Sequence, residues 1–155
     1  MSKLKEADFY YGAILSHCFH NGFKPMMVEG GDSRQVYDCT TDSGDFRLFT
    51  KYRSAPISSK TEGYNSWQFV LSDGDIAELS GYLKMDGELS LALLCGNTPF
   101  KESEIAFLHK DEIQTVLNAE KGSITISRKA GERKFRIAMG GGRDNSLQIE
   151  AKRVR

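Results

Sequence analysis

Apolar residues return at near-helical spacing over residues 3–21, at Leu4, Ala7, Tyr11, Ile14, Leu15, Cys18 and Phe19, and Asn21-Gly22 supplies a stop. The chain therefore opens with a helix. Lys24–Glu29 is predicted to be extended, because Pro25 disfavours helix for the residue before it, and Gly30-Gly31-Asp32 breaks the strand. Two further strands, about Gln35–Thr41 and Phe46–Arg53, flank the turn residues Asp42-Ser43-Gly44 and form a hairpin. On its second strand Arg47, Phe49, Lys51 and Arg53 share one face, and Phe46, Leu48, Thr50 and Tyr52 share the other. The expectation is a positive row on one side and an apolar row on the other, with Asp38 projecting beside Lys51.

Residues 54–66, with Pro56 and Gly63, read as a loop, and Trp67–Leu71 as the next strand. Ser72-Asp-Gly-Asp75 is a capping box that opens a helix to about Lys84, whose stripe Ile76, Leu79, Tyr82, Leu83 suits packing on a sheet. Leu89–Cys95 is almost uniformly apolar, as expected of a strand buried on both faces in mid-sheet. Glu104–Leu108 predicts another strand and Asp111–Ala119 a short helix. Ser123–Arg128, Lys134–Met139 and Leu147–Arg153 then alternate like three antiparallel strands.

One domain of 155 residues is expected, with residues 1–119 as the core and 120–155 as a β extension within it. Charged residues at 27% and hydrophobic residues at 39% place the chain among folding globular sequences. No apolar run reaches the roughly 20 residues that span a bilayer, so no membrane partner is expected and the cytoplasm is the expected location. Cys18, Cys39 and Cys95 are odd in number and set among apolar neighbours, which suits buried thiols in a reducing compartment. The zero net charge hides an asymmetry: residues 1–119 hold 11 Lys/Arg against 17 Asp/Glu, and residues 120–155 hold 10 against 4. A basic end of that kind binds DNA, RNA or another anionic partner, or docks on the acidic part of its own fold or of a second copy.

The sequence of elements, with Gly22-Phe23 ending the first helix, Asp38 on one hairpin strand and Lys51 on the other, resembles the restriction-endonuclease-like, PD-(D/E)xK superfamily, in particular its archaeal Holliday-junction resolvase type. Ala106-Phe-Leu-His-Lys-Asp-Glu-Ile113 is similar to the strand-to-helix segment that closes that core. The resemblance covers about the first 119 residues. It implies an α+β or α/β fold with a mixed sheet backed by helices, an αβββαβ core, here followed by a C-terminal antiparallel three-stranded extension. It also implies a nuclease site in which Asp38 holds Mg²⁺ and Lys51 orients the attacking water at a phosphodiester.

This sequence departs from that pattern where the chemistry is decided. Phe49 stands at the second acidic position, and a phenyl ring offers no oxygen ligand. Glu78 on the second helix is the first candidate substitute, with Asp45 and Glu29 behind it. Two readings follow. One is a degenerate, non-catalytic nuclease-like module that holds nucleic acid or a protein, or pairs with a second copy, through Arg47, Lys51, Arg53 or the C-terminal Arg133, Lys134 and Arg136. The alternative is a metal-dependent nuclease with a displaced acid, using Mg²⁺. The literal Glu150-Ala-Lys152, six residues after Asp144, reads as a charged edge strand, since the chain runs only three residues further. His17 and His20 suit the negative end of a helix, Gly140-Gly-Gly-Arg143 a connection between strands, and Trp67 and Phe69 the core, although Tyr64, Trp67 and Phe69 near Lys60 could also stack bases.

Overall fold

The first helix takes its place from four side chains. Ala7, Tyr11, Ile14 and Cys18 recur at i, i+4, i+7 and i+11 and are all buried. At its C-terminus Gly22 adopts φ +75°, which lets the Phe23 N–H reach the Cys18 carbonyl at 2.9 Å and the Gly22 N–H reach Phe19 at 3.1 Å. Phe23 then turns inward, edge-on to Phe46. The structure, a computed structural model, describes residues 3–57 and 62–155, so Lys60 lies outside the described residues.

Among the described residues, α1 (Glu6–His20) leads into β1 (Lys24–Glu29), β2 (Gln35–Thr40), β3 (Phe46–Arg53) and β4 (Tyr64–Val70). After α2 (Asp73–Leu83) come β5 (Glu88–Cys95), β6 (Glu104–Leu108), α3 (Lys110–Asn118), β7 (Ser123–Lys129), β8 (Lys134–Ile137) and β9 (Leu147–Glu150). The fold is mixed α+β with two sheets. A five-stranded sheet has the order β1-β2-β3-β5-β6, antiparallel except for the parallel pair β3/β5; an antiparallel four-stranded sheet has the order β4-β7-β8-β9.

The five-stranded sheet is covered on both faces. On one side α1 packs with Tyr37, Cys39, Phe46, Leu48, Ala92 and Leu94. On the other, Val36, Phe49, Leu91 and Leu93 meet Leu79 of α2, Ile113 of α3 and the inner face of the second sheet. β5 has seven consecutive buried residues, as its apolar run predicts for a central strand. Gly96 at its end lies so close to β3 that a Cβ there would stand 2.5 Å from the Arg53 carbonyl oxygen. No helix among the described residues is long and apolar enough to cross a membrane, and all three cysteines are free and buried.

Two expectations need correction. β4 does not join the first sheet; it pairs with β7, so the expected three-stranded extension is a four-stranded sheet with one strand drawn from before residue 119. The reason lies in the alternation of β4, which puts Trp67 and Phe69 inward and leaves Ser66, Gln68 and Val70 on the other side. The positive row on β3 does not form either. Phe49 is fully buried and Lys51 is 7% exposed, because the face they share lies under α2 and the second sheet.

Because Phe49 sits in this shared core, Phe49→Ala is expected to lower unfolding free energy by about 3–5 kcal/mol in urea denaturation. The same change at exposed Phe9 is expected to stay within about 0.5 kcal/mol.

Candidate functional site

The side chains that carry charge into the interior meet where α2 begins. Ser72 caps the helix, its Oγ accepting from the Asp75 N–H at 3.0 Å, while the Ser72 N–H donates to Asp75 Oδ2 at 2.9 Å. This is the box expected from Ser72-x-x-Asp75, with the short acid held hard against the helix end. The same Oδ2 accepts from Lys51 Nζ at 2.8 Å, and Oδ1 accepts from Arg34 Nη1 at 2.8 Å. Lys51 also donates to the Ser33 carbonyl at 3.0 Å. Asp75 is 1% exposed, and its partners satisfy it fully.

Arg34 extends the network. Its guanidinium lies 3.0 Å from Glu29 Oε1, 2.8 Å from Asp75 Oδ1 and 3.1 Å from Glu78 Oε2, so three carboxylates from β1 and α2 share one arginine. Tyr82 donates to Glu78 Oε1 at 2.7 Å, and Arg47 stands 4.7 Å from the centre of the Tyr82 ring. Beside the Lys51/Asp75 pair opens a cleft of about 450 Å³, lined by Glu6, Asp32, Ser33, Arg53, Phe69 and Ser72 among others.

Burial works against the charged form of Asp75, but hydrogen bonds from Lys51 and Ser72, the Lys51 charge and Arg34 outweigh it and hold the carboxyl below its usual range. Glu29 and Glu78 share Arg34 Nη2, at 3.0 and 3.1 Å, and their carboxyls are driven apart. Glu29 is raised, first by the neighbouring Glu78 carboxyl and then by burial. Burial works against charged Glu78, but the neighbouring Glu29 carboxyl, the bond from Tyr82 and the charge of Arg34 outweigh it and lower Glu78. Burial and the bond to Glu78 push Tyr82 up to about 12.

The expected site does not assemble as the hairpin suggests. Asp38 and Lys51 project from the same face, but Asp38 stands opposite Arg47 in the register, and Lys51 lies four residues further along β3, about 13 Å at 3.3 Å per residue. Asp38 instead takes a two-point grip from Arg47, with Nε at 2.8 Å and Nη2 at 3.0 Å, and that bond holds its carboxyl below the usual range. The carboxylate that Lys51 meets is Asp75, which sequence reasoning marked only as a helix cap. Glu78 and Glu29 do approach this end of the sheet, through Arg34 rather than through Lys51 or Asp38. Asp45 stays exposed at the turn, accepting from the Thr41 N–H at 3.2 Å.

The other candidates are dispersed. Arg53 and Arg133 are exposed, Lys134 lies 3.9 Å from Glu150, and Arg136 lies 3.3 Å from Glu132. Asp144 and Lys152 are exposed and apart from the cluster. His17 stacks on Phe107 with its Nε2 at 2.7 Å from the Val154 carbonyl, while His20 is exposed. Trp67 is buried and donates to the Gly96 carbonyl at 2.8 Å.

A divalent ion such as Mg²⁺ needs several oxygens converging at about 2.1 Å with no cation among them. Here the guanidinium of Arg34 stands among Glu29, Asp75 and Glu78, and Arg47 closes Asp38, so the residues as arranged do not fit the ion. Among the described residues no group of three or more His, Cys, Asp or Glu side chains is placed to hold a metal. No protein-family model, curated protein or solved structure matches the chain.

Asp75→Ala leaves two buried cations without their shared carboxylate and is expected to cost about 3–5 kcal/mol in denaturant unfolding. Lys51→Met, which leaves Asp75 bound by Arg34 and Ser72, is expected to cost less. The depressed carboxyls Asp38, Asp75 and Glu78 contribute stability that is complete above about pH 4 and is lost as pH falls through their lower folded-state values. The raised Glu29 has the opposite sign, losing stability as pH climbs from the ordinary carboxyl value through its own. Melting temperature is therefore expected to fall below about pH 4, with a shallower fall in Asp75→Asn.

Proposed function

We propose that this chain is a restriction-endonuclease-like module that holds nucleic acid without hydrolysing it, the place of its catalytic cation being taken by Arg34. The observation that carries this reading is the guanidinium set 2.8–3.1 Å from carboxylate oxygens of Glu29, Asp75 and Glu78. An internal cation there neutralises the carboxylates that would otherwise recruit Mg²⁺, and Lys51, bound to Asp75, is not free to orient a water. The order α1, the meander β1-β2-β3, α2, and then β5 parallel to β3 supports the αβββαβ layout, with β4 as an insertion given over to the second sheet. The basic residues 120–155 favour an anionic partner over an apolar one.

A specific observation keeps a second reading in play. Three carboxylates and a lysine do gather at one end of the first sheet, as a nuclease with a displaced acid requires. The two readings separate on metal. A site with Kd near 0.1 mM would add about 2.7 kcal/mol of stability at about 10 mM Mg²⁺, so the expected absence of any shift in the wild-type melting temperature is a sharp result. Arg34→Ala is expected to be destabilised and to regain part of that loss on adding Mg²⁺ or Mn²⁺. Metal-dependent cutting of DNA or RNA by the wild type, abolished in Lys51→Ala, would replace this reading with the second.

A further inference from the structure

Several cations of this chain are spent on its own carboxylates: Arg34 and Lys51 on Asp75, Arg47 on Asp38, Arg128 on Glu104 and Arg153 on Glu112. The outer face of the second sheet is different. Strand alternation buries Trp67, Phe69, Ile124, Ile126, Phe135 and Ile137, and so turns Tyr64, Ser66, Thr125, Ser127, Lys129 and Arg136 outward. The register sets Ser66 across from Ser127, Tyr64 across from Lys129 and Ser127 across from Arg136, so hydroxyls, an aromatic ring and cations form adjoining rows.

One end of this face is a cleft of about 330 Å³. Lys121, Arg136, Thr125, Ser66 and Tyr64 line it, and Gly140 and Gly142 close it with bare backbone at φ +85° and +87°. A Cβ on Gly140 would stand 3.8 Å from Lys121 Nζ, which places the ammonium against this loop. Arg136 is positioned by Glu132 at 3.3 Å and by Ser146 at 3.3 Å. Among the described residues Lys121 and Lys129 have no ion-pair partner, and the side-chain oxygens of Tyr64, Ser66 and Thr125 make no hydrogen bond. Unused hydroxyls, the unspent Lys121 ammonium and a half-exposed aromatic ring thus line one cleft on this sheet face, with Lys129 across from Tyr64 beyond its rim.

We infer that this cleft is a nucleoside-phosphate site, with Lys121, Arg136 and the Gly140–Gly142 backbone at the phosphate and Tyr64 against the base. Backbone N–H groups of a glycine loop and flanking cations suit a phosphoryl oxygen, and a tyrosine on an open sheet suits a base that is not stacked in a duplex. The phosphate belongs either to a single-stranded nucleic acid or to a free nucleotide. The site goes beyond the reading of the first sheet and needs neither its metal chemistry nor its nuclease kinship. A wild type that binds Mg²⁺ would end that reading and leave this one standing.

The test is fluorescence anisotropy with a labelled 20-nucleotide poly-dT and a labelled poly-U of the same length at low salt, with AMP and ATP as competitors. Wild type is expected to bind the single strands. Lys121→Ala and Tyr64→Ala, checked for unchanged melting temperature, are each expected to weaken binding at least fivefold. Lys121→Ala is also expected to reduce the slope of log K against log salt by about 0.7. Competition by ATP at micromolar concentration assigns the cleft to free nucleotide, and competition only by oligonucleotide assigns it to the single strand; both support the site. No binding of either probe and no nucleotide binding by calorimetry at 100 µM protein would overturn it. Binding that Lys121→Ala and Tyr64→Ala leave intact while Arg53→Ala abolishes it would overturn it too.

Discussion

Asp75 is the junction on which the rest of this structure depends. A single buried carboxylate accepts from Ser72 at the N-cap of α2, from Lys51 near the end of β3 and from Arg34 in the segment before β2. Burying a charge is costly unless its oxygens find donors, and here both do, Oδ1 from Arg34 and Oδ2 from Lys51 and the Ser72 N–H. An apolar substitute could match the net stability of such a contact, but it could not specify direction. The bonds to Asp75 allow α2 one rotation and one height over the sheet, and through Arg34 they draw Glu29 of β1 and Glu78 of α2 to the same end.

The charge asymmetry along the chain has a structural counterpart. The basic last segment docks in part on the acidic body, with Arg128 at 3.1 Å from Glu104, Arg153 at 2.6 Å from Glu112 and Arg155 at 4.0 Å from Glu88. Arg155 also lies over the Phe46 ring, and His17 and His109 reach the carbonyls of Val154 and Arg155. Much of the surplus positive charge is therefore neutralised within the fold. Among the described residues of that segment left without an ion pair, Lys129 stands on the outward face of the second sheet, Lys121 lines the cleft at its end, and Arg133 and Lys152 are exposed in the connections.

Much of this architecture is legible in the chain. Local signals placed the elements well: the Asn21-Gly22 stop, the Ser72-x-x-Asp75 cap and the unbroken apolar run at 89–95 each correspond to a feature in the structure. What escaped was long-range. The partner of β4 is 60 residues or so further on, and its local pattern does not reveal that a second sheet, polar on one face, exists for it to join. The site was missed for a related reason. Asp75 has a sufficient local role as a cap, and Arg34 sits between strands where a charge is ordinary. The available clue was Lys51, a lysine in a strand flanked by Phe49 and Tyr52; a lysine that cannot reach water needs a buried acid, and the nearest capped acid in sequence is Asp75.

The placement of β4 has a consequence for how the chain can be made and cut. The chain leaves the five-stranded sheet for β4 before β5 is added beside β3, and β4 pairs with β7, which is synthesised last but two among the strands. Trp67 and Phe69 therefore lack the part of their cluster made by Ile124, Ile126, Phe135, Ile137 and Ile149 in a chain that ends near residue 119. The strands of the two sheets are interleaved in sequence, with β4 between β3 and β5, so a cut between α3 and β7 would leave β4 without the strand it pairs with.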